Sequence, residues 1–142
     1  MQPLNKMRTE FLSKSSNEAF ARVVAAAFAA QQDPSIDILA DIRTAVSEAV
    51  TNAIVHGYGD REGIVVMECT LYPDYIEILV EDFGKGIEDI EKAKTPLFTT
   101  RPDLERSGMG FTVMETFMDE LEVASNTGEG TKIRMKKFFG NR

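Results

Sequence analysis

The sequence predicts a two-layer α/β sandwich in which a mixed, mostly antiparallel sheet is covered by three helices. Three observations point there. Strand-like runs bracket helical ones, two neighbouring strand runs are joined by a tight turn, and 142 residues are enough for one core and little more. Residues 1–142 therefore read as a single domain. The order of elements does not fit a doubly wound sheet with regular strand–helix alternation.

Taken in order, Thr9-Glu10-Phe11-Leu12 reads as a short first strand. Ser15 followed by Glu18 has the spacing of a capping box, and the helix it opens carries Phe20, Val23, Val24, Ala27 and Phe28 on one apolar face. Asp33-Pro34-Ser35 ends that helix and starts a second, which runs to about His56 and stops at Gly57. Residues 64–71 are apolar and β-branched. The turn Tyr72-Pro73-Asp74 separates them from a run in which Ile76, Ile78 and Val80 alternate, so the two form an antiparallel hairpin. Gly84 and Gly86 close the second strand. A short acidic helix over 88–93, a stretch without period over 94–107, a helix over 110–118 and strands over 121–125 and 131–138 complete the chain.

Composition narrows the function classes. Hydrophobic residues at 43% and charged residues at 27% are ordinary for a globular protein. The net charge of −7 opposes nucleic acid and anionic membranes, although a polyanionic nucleotide is still admitted where a metal ion and local donors meet it. One cysteine, Cys69, forbids an intrachain disulfide, and its apolar alternating surroundings read as a buried strand thiol. Residues 1–6, MQPLNK, lack the apolar core of a signal peptide, and no run approaches the roughly 18 apolar residues of a membrane span. A cytoplasmic location is the expectation.

Four places carry candidate chemistry. In Ser47-Glu48-Ala49-Val50-Thr51-Asn52-Ala53-Ile54-Val55-His56, the residues Glu48, Asn52 and His56 recur every fourth position and line one helix edge. Such a stripe is usually a solvated face. A carboxylate one turn from an amide is also what a metal–triphosphate site uses, because Mg²⁺ takes hard oxygens and the phosphates already bring the negative charge. Asp82-Phe83-Gly84-Lys85-Gly86 follows a strand directly, and its glycines allow close backbone approach beside a carboxylate able to accept from an exocyclic amine. A common Gly-rich turn is the plain alternative. Asp82-Phe83-Gly84 also spells the DFG of eukaryotic-type kinases, but no HRD loop or preceding Gly-rich loop accompanies it, and no Walker A loop occurs.

Arg106-Ser107-Gly108-Met109-Gly110-Phe111 opens the third helix, where free amides and a guanidinium suit phosphate; a flexible helix start is the alternative. The preceding Thr95-Pro96-Leu97-Phe98-Thr99-Thr100-Arg101-Pro102 is long enough for a lid. Gly128-Glu129-Gly130-Thr131 alone is an ordinary hairpin turn.

Together, in this order, the four blocks resemble the GHKL (Bergerat-fold) ATPases, which include gyrase, heat-shock chaperone ATPases, histidine kinases and MutL proteins. Glu48 to Asn52 matches the N-box, Asp82-x-Gly84-x-Gly86 the first glycine box, Gly108-x-Gly110 the second, and Gly130-Thr131 the closing Gly-Thr. The resemblance spans nearly the whole chain and leaves no room for a helix with a phosphoacceptor histidine; His56, the one histidine, reads as structural. Residues 47–57, together with Pro96-Leu97-Phe98-Thr99-Thr100 and Glu105-Arg106-Ser107-Gly108-Met109-Gly110-Phe111, most resemble the anti-sigma F family of spore-forming bacteria. Members of that family are serine kinases that inhibit a sporulation sigma factor and phosphorylate the anti-anti-sigma factor that releases it.

The resemblance implies ATP and Mg²⁺ as cofactors, Glu48 as catalytic base, Asn52 as Mg²⁺ ligand and Asp82 on adenine beside Gly84 and Gly86. Thr99, Thr100, Arg106, Ser107, Gly108, Met109 and Gly110 would surround the phosphates, and Thr131 would close the adenine side. It also implies a homodimer, with Arg22 on the first helix contacting partners. Phe83 and Lys85 depart from the family pattern, which has an acidic and an apolar residue there. Three other readings stay open: a stress-response switch kinase of the anti-sigma B branch, a nucleotide-gated sigma-binding module without catalysis, and a detached histidine-kinase domain.

Overall fold

The computed structural model describes residues 2–94 and 110–140. Strand β1 (Asn5–Leu12) leads into helix α1 (Ser16–Ala29), a 3-10 turn (Ala30–Gln32) and helix α2 (Ile36–Thr51), which continues as a π-helix (Asn52–Tyr58). Strands β2 (Ile64–Leu71) and β3 (Tyr75–Asp82), the single-turn α3 (Ile90–Ala93), helix α4 (Gly110–Phe117) and strands β4 (Glu120–Asn126) and β5 (Gly130–Phe138) follow. The strands form one sheet in the order β1-β2-β3-β5-β4.

The α/β sandwich expected from the sequence is present, with one correction to the sheet. All four strand pairings are antiparallel, so the sheet is not mixed. The reason is topological: β1, β3 and β4 run in one direction, but β2 separates β1 from β3. The hairpin of β4 and β5 then places β5 between β3 and β4.

One face of the sheet is apolar. Residues 65, 67, 69 and 71 of β2 and 76, 78 and 80 of β3 point inward and are fully buried against α1, α2 and α4, as the two-residue strand period requires. The opposite face carries cross-strand charge pairs such as Arg8 with Glu68 (2.6 Å) and Arg134 with Glu77 (2.9 Å).

Helix α1 differs from its sequence reading in two ways. Its buried stripe is Ala21, Ala25 and Ala29, with Ala26 beside it, whereas Phe20 and Val23 are 49% and 60% exposed. Small side chains let α1 lie close against α2, which displaces the bulkier residues to the flanks; Val24 and Phe28 remain partly buried. Nor does the capping box form. Ser15 is already helical and makes no side-chain cap, while the Glu18 carboxylate accepts from the Ser47 hydroxyl of α2 (2.6 Å) and pairs with Arg22 (3.2 Å). The start of α2 behaves as expected: Asp33 turns left-handed at φ 50° and the Ser35 hydroxyl accepts from the Ile38 amide.

Candidate active site

The second helix continues past Thr51, but its end is a wider turn than the sequence suggested. From Asn52 the backbone winds as a π-helix, marked by the Gly59 amide donating to the carbonyl of Ile54 five residues earlier (3.0 Å). Glu48, Asn52 and His56 lie together on one wall of a cavity of about 530 Å³. The facing wall comprises residues 85–89 with Lys92 and Ala93, and the N-terminal end of α4, Gly110 and Phe111, closes the side. The N-terminal end of a helix suits an anion.

Asp82 occupies the next inward position of β3 after Ile76, Ile78 and Val80, and is 3% exposed. Burial pushes its carboxyl up to about 6; hydrogen bonds from the Gly84 and Thr131 amides oppose the shift, and Glu81 adds to it. The Gly84 amide donates to its Oδ1 at 2.9 Å. Gly84 is needed for close approach of a different kind from the one expected. A Cβ there would stand 2.0 Å from the Gly57 carbonyl oxygen, so the glycine lets β3 pack onto the π turn, where the Lys85 amide also reaches Gly57 (3.0 Å). Gly86, at φ 79°, does line the cavity and crosses the backbone of Asn126.

Thr131 is buried at the foot of β5, and its hydroxyl meets Ser125 Oγ at 2.8 Å. Ser125 Oγ also accepts from the Ile87 amide (2.7 Å), tying the glycine-box loop to the β4–β5 hairpin. Ser125 and Ile87 were not singled out in the sequence, and Gly57 was read only as the stop of the second helix; their roles here depend on backbone groups brought near by the fold.

The structure thus brings Glu48, Asn52, Gly86 and Gly110 to one cavity and sets Asp82, Gly84 and Thr131 in adjoining buried positions. Lys85 lines the cavity, whereas Phe83 is 55% exposed and does not. Arg22 lies away from it, on α1. Thr99, Thr100, Arg106, Ser107, Gly108 and Met109 lie outside the described residues. Among the described residues no cluster of His, Cys, Asp and Glu forms a self-sufficient metal centre. The donor set here is of another kind, an amide oxygen on Asn52 beside a half-buried Glu48, which fits a hard cation whose other ligands come from a triphosphate. No described helix is long and apolar enough to cross a membrane.

A helix edge bearing Glu48 and Asn52, a buried Asp82 ahead of two alternate glycines, and a helix end facing both define a nucleotide-binding domain of the histidine kinase-like ATPase class. A sequence profile of the histidine kinase-like ATPase domain matches residues 12–137. The chain is 65% identical over 134 residues to the anti-sigma F factor of Clostridium novyi, covering 94% of each chain. It is 61% identical over 141 residues to that of Thermoanaerobacter sp. strain X514, covering 99% of each. The chain belongs to the anti-sigma F factor family, and ATP is the nucleotide of its domain class. In fold it is similar to a solved structure of the RsbU and RsbW domains of Rv1364c from Mycobacterium tuberculosis, with a TM-score of 0.68 at 18% identity. That match covers 96% of this chain and 33% of the longer one.

Proposed function

We propose that this chain is an ATP-dependent protein-serine kinase that also holds a sporulation sigma factor inactive. Its protein substrate is the anti-anti-sigma factor, and it works in the cytoplasm as a homodimer. The observation that carries the reading is the pairing of Glu48 and Asn52 on one cavity wall, with the α4 N-terminus at its side, in a chain whose relatives at 61–65% identity are anti-sigma F factors.

The adenine amine would donate to Asp82, with Thr131 closing that side. The triphosphate would then run toward Asn52 and the amides of α4. The Asn52 amide oxygen would hold Mg²⁺, which when bound neutralises phosphate charge. In the transfer, the γ-phosphorus bonds to the serine Oγ as its bond to the ADP oxygen breaks, and the serine proton passes to Glu48. The remaining task of the protein is positioning, which the rigid sheet and the α2 edge supply. Arg22, half-exposed on α1 and paired with Glu18, would be the residue that meets a protein partner.

The test is incubation with γ-labelled ATP, Mg²⁺ and the anti-anti-sigma protein. Acid-stable label on a partner serine is expected, and Glu48→Ala should bind ATP yet lose roughly 10²–10⁴-fold in transfer rate. Transfer retained in that variant removes Glu48 from the role. Acid-labile label would mean histidine phosphorylation. No label despite ATP binding would leave a nucleotide-gated sigma-binding module. Asn52→Ala should weaken nucleotide binding in the presence of Mg²⁺ far more than in its absence.

A further inference from the structure

Tyr58 ends the π turn and is 8% exposed, yet it does not line the nucleotide cavity. Its hydroxyl lies between two backbone segments. It donates to the Ile64 carbonyl at the start of β2 and accepts from the Phe83 amide at 2.8 Å. One phenol can do both, having one proton and lone pairs to spare.

The second of these bonds falls on the residue after Asp82. The 82–84 turn is therefore held twice, by Tyr58 at the Phe83 amide and by Asp82 itself at the Gly84 amide. The ring is packed as well: a Cβ on Gly63 would stand 2.2 Å from the Tyr58 Cε1, so the ring lies directly on that glycine. Burial pushes the hydroxyl above its ordinary value, so it keeps its proton at neutral pH.

We infer that Tyr58 is a positioning residue for base recognition: by holding the Phe83 amide it fixes the turn from which the Asp82 carboxylate faces the exocyclic amine of adenine. This rests on the ATP reading proposed above. Phenylalanine at 58 would keep the ring on Gly63 but leave the Phe83 amide and the Ile64 carbonyl without their partner. The loss would then reach the nucleotide through Asp82 alone.

The experiment compares the full chain, Tyr58→Phe and Asp82→Asn for Mg²⁺-dependent affinity toward ATP and ITP, which carries a 6-oxo group where ATP has the amine. Steady-state KM and kcat for ATP are measured in parallel. The unaltered chain should prefer ATP. Tyr58→Phe should lose about tenfold in ATP affinity and raise KM to match, with ITP affinity and kcat within about twofold of the unaltered chain. A generally loosened fold would instead depress both nucleotides together, and that result overturns the inference, as does full retention of the ATP preference. Asp82→Asn separates the two levels. If it abolishes the preference while Tyr58→Phe keeps it, Tyr58 has no such role. If it too keeps the preference, base reading by Asp82 fails and the inference falls with it. Amide exchange in the unaltered chain gives a check that needs no variant: the Phe83 amide should be protected, and fast exchange there would overturn the proposal.

Discussion

Asp82 continues the inward row of β3 as its one charged member, and this couples recognition to stability with opposite signs. Its carboxyl is raised by burial from an ordinary 3.8 to about 6, so between these values the folded chain binds more protons than the unfolded one. Stability from this group therefore falls as pH rises from about 4 to 6, and above about 6 the whole cost is present, on the order of 3 kcal/mol. Asp82→Asn is expected to unfold at a higher temperature than the unaltered chain at pH 7.5 and to lose most of this decline with pH, while binding ATP poorly. A variant with the same pH slope would show that Asp82 is not the group responsible. Recognition runs the other way, since the ionised carboxylate accepts from the amine, so the preference for ATP over ITP should weaken as pH drops below about 6. Cys69 lies in the neighbouring strand β2 and is fully buried. Burial pushes its thiol up to about 12, so it should resist alkylation until the chain is unfolded, and labelling of the native protein would contradict its placement. The inward position of Asp82 was legible in the sequence, because alternation through Ile76, Ile78 and Val80 leads to it. Tyr58 was not legible: its partners are backbone atoms 6 and 25 residues away, which side-chain pattern does not encode.

Among the elements, strand periods read through better than helix details, although β1 begins at Asn5, four residues before the Thr9 start read from the sequence. The run 64–71 is β2 at both ends, since a β-branched apolar run bounded by a turn has few other uses. Helix α1 was misjudged because ranking by hydrophobicity favours Phe20 and Val23, whereas contact with α2 selects for smallness, as at Ala21 and Ala25. The capping box failed for a related reason, because Glu18 found a partner on another helix. The π turn leaves no periodic trace, yet it sets the join between α2 and β3. Gly84 is the tightest point of that join. Gly84→Ala puts a Cβ 2.0 Å from a backbone carbonyl of Gly57, where no flexible side chain can yield. A loss of roughly 1–3 kcal/mol in denaturant unfolding is expected, together with weakened ATP binding as the 82–86 loop is pushed from the π turn. Unchanged stability would mean that the two elements separate freely.

At the scale of the whole molecule, what the sequence made legible was an order of blocks, each weak alone. The sheet topology explains why that order matters. With β5 inserted beside β3, the glycine box at the end of β3 meets the β4–β5 turn, and the α2 edge closes over both. Among the described residues the cavity is thus built from four distant stretches of chain, around residues 48–56, 85–93, 110–111 and 127. A ligand bound there contacts groups that are together only in the folded state, so it stabilises the fold by mass action. At free MgATP a hundred times its Kd the gain is about 2.7 kcal/mol, roughly 8 °C in the unfolding midpoint for a chain of this size. Thermal unfolding followed against MgATP concentration should show that rise, increasing with the logarithm of concentration once the site is full. Asp82→Asn should shift the curve to higher nucleotide concentration, because it weakens recognition without removing the walls. A midpoint that stays fixed as MgATP rises to millimolar levels would mean that the cavity does not take the nucleotide in the folded chain. The assignment of Glu48 and Asn52 to phosphate chemistry would then lose its basis.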